Sequence, residues 1–194
     1  MVFQEQTYSV LVVSSAGKFN EVLGQMLPGT DYYPVCFASN VSAARRELLS
    51  RTFDFVIVNS PLPDDVGTRF AMDACGNMTT VVMLLVRSEH YEEISAKMTP
   101  HGVFTLPKPI AAQTLQQGLK WMAPARERLR ELEKKATSVE EKMEEIRLVN
   151  RAKWLLIEQL KMTEPDAHRY IEKQAMDRCV SRREIALGVI KTYS

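Results

Sequence analysis

Across the first 124 residues, short apolar runs rich in β-branched side chains alternate with stretches of helical spacing. That alternation limits the fold more than any other feature of the chain. The strongest runs are residues 8–13, 53–58 and 79–86, with weaker ones at 35–37 and 102–106. Each is apolar almost without interruption, as suits strands covered on both faces in a parallel sheet. Helical spacing appears at residues 18–26, 41–50 and 111–122. In the second of these, Ser39 or Asn40 takes the cap position, and Val41, Ala44, Leu48 and Leu49 form the apolar face. Strands and helices alternating at this spacing build βαβ units, so a doubly wound α/β sheet is expected.

In open sheets of this kind the functional loops lie at the carboxyl ends of the strands. The first run ends in Ser14 and Ser15. The 53–58 run continues through Asn59 and Ser60 into Pro61-Leu62-Pro63-Asp64-Asp65-Val66-Gly67. The last ends in Thr105-Leu106-Pro107-Lys108-Pro109. The Lys-Pro pair after the final strand, with Pro63 and Gly67 spaced after the third, resembles the receiver domain of bacterial two-component response regulators over about residues 7–122. The resemblance implies a flavodoxin-like fold. It also implies an acidic pair for Mg²⁺ after the first strand and a nucleophilic aspartate at the end of the third. Ser14, Ser15 and Asn59 stand at those places. A carboxamide cannot form an acyl phosphate, and neutral hydroxyls are weak ligands for a cation that prefers carboxylates. The hydroxyl residue implied after the fourth strand is also absent, since Leu85-Val86-Arg87 occupies that end. Only Lys108 matches the phosphorylation machinery, and it reads as a hydrogen-bond donor to Asn59 or Ser14. Asp64 and Asp65 lie beyond the strand end and read as solvated loop residues. The domain is therefore expected to be a pseudo-receiver, closed by Pro124.

A strongly helical, charged stretch follows. Leu129, Leu132, Ala136, Val139, Met143, Ile146 and polar Asn150 recur at alternating steps of three and four, with Met122 and Ala125 upstream. This is a coiled-coil seam, and an Asn at one seam position fixes register and favours a dimer. Ser138 and Glu141 have the spacing of a capping box, which marks a place for a kink or restart near Thr137.

Three helical pieces then make a small all-α bundle. The second opens at Thr163-Glu164-Pro165-Asp166, with apolar Ala167, Tyr170, Ile171 and Ala175. The third opens at Ser181, with Glu184 completing a capping box and Ile185, Ala186, Val189 and Ile190 facing inward. The expected boundaries are residues 1–123, 124–145 and 146–194. Charge follows them. Residues 1–124 hold nine basic and eleven acidic side chains, whereas 151–194 hold nine and six. Arg178, Arg182 and Arg183 cluster around the start of the last helix, where free backbone N–H groups favour an anion.

The ordered set Arg151-Ala152-Lys153-Trp154-Leu155-Leu156, Thr163-Glu164-Pro165-Asp166-Ala167, Gln174-Ala175-Met176-Asp177-Arg178 and the closing apolar helix resembles an ANTAR domain over about residues 140–192. With a degenerate receiver in front, the chain is similar to AmiR-type transcription antiterminators. That resemblance implies a response regulator that binds tandem stem-loops in leader RNA as a homodimer, and so regulates transcription by antitermination. The candidate RNA contacts are Ala152, as a small residue allowing close approach, Lys153, Arg178, Ser181, Arg182 and Arg183. Trp154 reads as a core residue ahead of a base-stacking one. A protein or ligand acting on the pseudo-receiver is the expected regulator.

Several classes are excluded. No apolar run approaches the roughly 20 residues of a membrane span, and the N-terminus lacks the features of a signal peptide. A cytoplasmic protein is expected. Cys36, Cys75 and Cys179 read as reduced core thiols, and His90, His101 and His168 as surface residues. No metal, cofactor or catalytic constellation is expected, and an enzyme is improbable. The competing functional classes are a protein-interaction adaptor and a DNA-binding regulator, the latter weakened by the apolar character of the last helix.

Overall fold

The computed structural model describes residues 7–76 and 79–193. Strands β1 (Tyr8–Val13), β2 (Tyr32–Ala38), β3 (Phe55–Asn59), β4 (Val81–Arg87) and β5 (Phe104–Lys108) form one parallel sheet in the order β2-β1-β3-β4-β5. This is the flavodoxin-like order, with its switch point between β1 and β3. The helices around it are α1 (Gly17–Met26), α2 (Val41–Ser50), α3 (Thr68–Cys75), α4 (Tyr91–Met98) and the start of α5 (Ala112–Leu160).

Alternation along the central strands divides the core in two. Leu11, Val13, Val56, Val58, Val82 and Leu84 pack against Ala44, Phe70, Ala71 and Met98 on one face of the sheet. Val10, Val12, Phe55, Ile57, Met83 and Leu85 pack against Leu23, Leu115, Leu119 and Met122 on the other. Both sets are apolar, which is why the sequence reads as continuous runs rather than as alternation. The cap of α2 is Asn40, whose Oδ1 accepts from the Ala43 N–H at 2.7 Å. Leu49, expected on the apolar face of α2, is instead exposed, because the helix buries only Val41 and Ala44 fully and Leu48 in part.

Pro124 does not close the domain. It lies inside α5, on the exposed side. The interior-proline penalty of about 3 kcal/mol is offset by what the helix buries around it. Met122 is fully enclosed, Ala125 and Leu129 pack on the same cluster, and Arg126 is 8% exposed. The chain accordingly divides into two compact units at Glu133 and Lys134. The capping box expected at Ser138 is not used as a helix start, since α5 is helical through Thr137 and Ser138. Good helix formers on either side leave nothing to break it.

In the second unit the end of α5 packs with α6 (Glu164–Arg178) and α7 (Arg182–Tyr193) around Ala152, Leu156, Ala167, Ile171, Ala175, Ile185, Ala186 and Val189. Thr163 caps α6 by accepting from the Asp166 N–H at 3.3 Å, and Ser181 caps α7 by accepting from the Glu184 N–H at 3.2 Å. Tyr170, expected in this core, is exposed. No helix among the described residues is long and apolar enough to cross a membrane.

Candidate functional site

Two places carry the candidate residues. The first is the carboxyl edge of the sheet, where Ser14, Asn59 and Lys108 close a hydrogen-bonded chain. Lys108 Nζ donates to Asn59 Oδ1 at 2.7 Å and to the Ser60 carbonyl. Asn59 Nδ2 donates to Ser14 Oγ at 3.0 Å, and that hydroxyl accepts in turn from the Ala16 N–H at 3.2 Å. Ser14, Asn59 and Ser60 are buried, while Ser15 is exposed. Burial, and then the neighbouring Arg87 charge, lower the Lys108 pKa. Every group in this chain is satisfied by another neutral group or by the ammonium. No carboxylate stands in it, and among the described residues no cluster of His, Cys, Asp or Glu could hold a metal ion.

The acidic loop beyond β3 does structural work. Asp64 accepts from the backbone N–H groups of Val41 and Ser42 at 2.9 and 3.0 Å and from the Ser42 hydroxyl at 3.0 Å. The two backbone bonds, ahead of that hydroxyl, hold its carboxyl below the usual range. Asp65 accepts from the Gly67 N–H at 2.5 Å. Gly67 needs its φ of +85°, and an added Cβ there would meet Val58 Cγ1 at 3.0 Å. These aspartates therefore tie the loop to α2 and to its own turn.

Sequence reading missed a second polar cluster, near the amino edge of the sheet. Asp54 accepts from Ser9 N–H and Oγ at 2.9 and 3.0 Å, from Arg126 Nε at 2.8 Å and from Arg130 Nη2 at 2.8 Å. Burial raises its pKa, but the Ser9 bonds and the two guanidinium groups outweigh that, and the net shift is downward. Burial and then Glu127 push the Tyr8 phenol up to about 12, with Arg130 lying over its ring at 5.4 Å. This clasp fixes the early part of α5 to the sheet.

The second candidate place is the C-terminal unit. There Lys142, Glu145, Ile146, Val149, Asn150 and Lys153 of α5, His168 of α6 and Arg182 of α7 line an open cleft of about 450 Å³. Lys153 Nζ bonds Glu164 Oε1 at 2.7 Å, which, with the Lys153 charge, lowers the Glu164 pKa. Arg182 pairs with Glu145 at 3.1 Å, and His168 Nε2 lies 3.3 Å from Glu172.

The model of the ANTAR domain matches residues 137–190. The C-terminal helices are an ANTAR domain. The chain is also 26% identical over 139 residues to the transcriptional regulatory protein PdtaR of Mycobacterium tuberculosis, covering 72% of this chain and 68% of that protein. Among solved structures, the receiver domain of an HD domain-containing protein from Pseudomonas fluorescens Pf-5 superposes with a TM-score of 0.56 at 24% identity. It covers 69% of this chain and 96% of its own. Chemotaxis response regulator CheY4 of Vibrio cholerae gives 0.52 at 21% identity, over 60% and 99% of the two chains. The protein thus has a receiver-like fold followed by an ANTAR domain.

Within the ANTAR domain the predicted contacts do not form one patch. Arg182 shares the cleft with Lys153. Arg178 lines a separate groove with Tyr170 and Tyr193, and Arg183 lies with Ser181 against an acidic stretch of α5 that includes Glu140, Glu141 and Glu144. Arg182 and Arg183 are adjacent on α7 and so face different ways, while Arg178 ends α6. Ala152 is fully buried in the ANTAR core, so its small size serves helix packing and not contact with a ligand. Trp154 is the reverse case. It is 71% exposed, because the adjacent Ala152 and Leu156 face the core in its place. Cys179 is exposed as well, at the C-cap of α6, whereas Cys36 and Cys75 are half-buried.

The seam residues divide by environment. Leu129 packs on the core of the first unit. Leu132, Ala136, Val139, Met143 and Ile146 are exposed. Asn150 and Ile146 also line the cleft, which sequence periodicity could not reveal because the cleft is closed by α6 and α7.

Proposed function

We propose that the protein is a dimeric, RNA-binding transcription antitermination regulator that acts in the cytoplasm by binding rather than by catalysis. Its ANTAR domain engages tandem stem-loops in a leader transcript, and the pseudo-receiver answers to a protein or small ligand instead of to phosphoryl transfer. The observation that carries this reading is the cleft within the ANTAR domain where Lys142, Lys153 and Arg182 stand against the one carboxylate of its lining, Glu145. Hairpin loops present splayed bases and close-set phosphates, which such a cleft suits better than it suits the deep groove of a duplex. Glu164, the more exposed partner of Lys153, is the group that a phosphate would displace there.

The exposed stripe of Leu132, Val139 and Met143 supports the dimer. An apolar stripe of two positions in seven on a helix is a coiled-coil seam. Two ANTAR domains in one dimer make the second hairpin contact effectively intramolecular, which raises avidity by about 10² or more. The Lys108–Asn59–Ser14 chain, in which Asn59 and Ser14 are buried, supports a receiver that does not use phosphate.

The test is a gel shift of the full chain against RNA carrying two hairpins, one hairpin, an unstructured RNA and duplex DNA. Tandem hairpin RNA is expected to bind at least tenfold more tightly than the others, with log affinity falling linearly with log salt. Equal binding to all four would refute the reading. Capture of duplex DNA alone would favour a DNA-binding regulator.

A further inference from the structure

The cleft in the ANTAR domain has a composition that a dimer seam does not explain. Its α5 wall is Lys142, Glu145, Ile146, Val149, Asn150 and Lys153, which recur at steps of three and four and so share one helix face. His168 and Arg182 close it from the other two helices. At about 450 Å³ it falls within the range of roughly 300–1,000 Å³ typical of sites for small organic groups.

Ile146 and Asn150 continue the heptad register, and the next position in that register is Lys153. A parallel coiled coil carried through them would bring the lysines of two chains together and cover Arg182. Leu132, Ala136, Val139 and Met143 line no part of the cleft. The seam and the cleft therefore meet between Met143 and Ile146.

The chemistry of the cleft is that of a nucleotide. Ile146 and Val149 supply an apolar surface, and Ile146 is 60% exposed with nothing over it among the described residues. Asn150 is exposed, and its carboxamide offers a donor and an acceptor side by side with no side-chain partner among the described residues. Lys142, Lys153 and Arg182 stand around these groups; Lys153 is paired with Glu164, and Arg182 with Glu145 of the wall and with Glu172, so a phosphate takes the place of these carboxylates. An apolar bed, one carboxamide and a cationic rim match the face, the edge and the phosphates of an unpaired base.

We propose that this cleft takes a single unpaired nucleobase of the RNA loop, and that the dimer seam ends at Met143. Ile146 and Val149 lie against the base, Asn150 reads its edge, and Lys142, Lys153 and Arg182 hold the adjoining phosphates. The assignment rests on the RNA-binding reading above and adds to it a specificity-determining residue.

The experiment uses the full chain and a pool of hairpin RNAs with a fixed stem and a randomised loop. Hairpins enriched by the wild type are titrated singly against wild type and Asn150→Ala, with abasic substitution at each loop position in turn. Sedimentation velocity and circular dichroism on the same samples report dimerisation and helicity. Asn150→Ala is expected to stay dimeric and helical and to lose about tenfold or more in affinity for the single hairpin. One abasic position is expected to cost the wild type that same factor and the variant nothing further. An unchanged affinity and loop profile for Asn150→Ala would overturn the proposal. So would a monomeric variant whose affinity for a single hairpin is intact, since that is the behaviour of a seam residue. If the wild type enriches no loop at all, the RNA reading itself falls and the ligand of the cleft falls with it.

Discussion

The Asp54 clasp makes a quantitative prediction for Asp54→Asn. The carboxylate accepts four hydrogen bonds, two from Ser9 and one each from Arg126 and Arg130. Its side chain is 13% exposed, against 10% and 20% for the two arginines. Removing one member of a buried ion pair costs about 3–5 kcal/mol, because the other charge is left buried without compensation. Two observations reduce that figure here. Arg126 keeps Glu133 at 3.2 Å and Arg130 keeps Glu127 at 2.9 Å, and asparagine still offers an oxygen to the Ser9 N–H. The expected loss is therefore about 2–4 kcal/mol, or roughly 10 °C in the unfolding midpoint of the first unit. Trp121 belongs to that unit and Trp154 to the other, so urea melts followed by tryptophan fluorescence in a Trp154→Phe background isolate the transition of interest. Trp154 is largely exposed, which makes the background change mild. A change below about 0.5 kcal/mol for Asp54→Asn would refute the reasoning and place these groups among ordinary solvent-screened surface pairs.

The same carboxyl has a pH signature. Its folded pKa lies below the ordinary value of 3.8, so its contribution is fully present above that value and is lost as pH falls through the depressed one. Urea midpoints of wild type and Asp54→Asn should therefore converge only below about pH 4; convergence already at pH 6 would contradict this. Acetyl phosphate with Mg²⁺ should leave the intact mass of the protein unchanged, because Asn59 offers no carboxylate; a gain of one phosphoryl group overturns that. Met143→Lys, on the exposed stripe, should weaken dimerisation by about 3 kcal/mol or more without loss of helicity, as read by sedimentation velocity and circular dichroism.

The fold was legible where burial is two-sided and caps are written locally. The central strands are apolar on both faces, so their runs stand out, and α2, α6 and α7 each begin at a side chain that accepts from the helix's first turn. The helices α3 and α4 escaped for the opposite reason. Each has eight residues and no side-chain cap, and α3 starts from the left-handed backbone of Gly67. The length of α5 escaped because Pro124 is a strong local stop. What overrides it is tertiary, the burial of Met122 and Arg126 on either side.

Charge was harder to read than fold, because a sequence gives the sum of charges and not their directions. The basic surplus of the last 44 residues is real, yet Arg178, Arg182 and Arg183 face three different surroundings. Of the three, only Arg182 lines the same cleft as Lys153, 29 positions earlier in the chain. The Asp54 clasp shows the same limit more sharply, since Ser9, Arg126 and Arg130 lie 45, 72 and 76 positions from the carboxylate they surround. Periodicity reaches residues three or four apart on one element. It placed Ile146 and Asn150 on one line correctly, and it could not register that α6 and α7 fold His168 and Arg182 against the same line. A seam and a binding wall have the same period along one helix, and only the surrounding elements distinguish them.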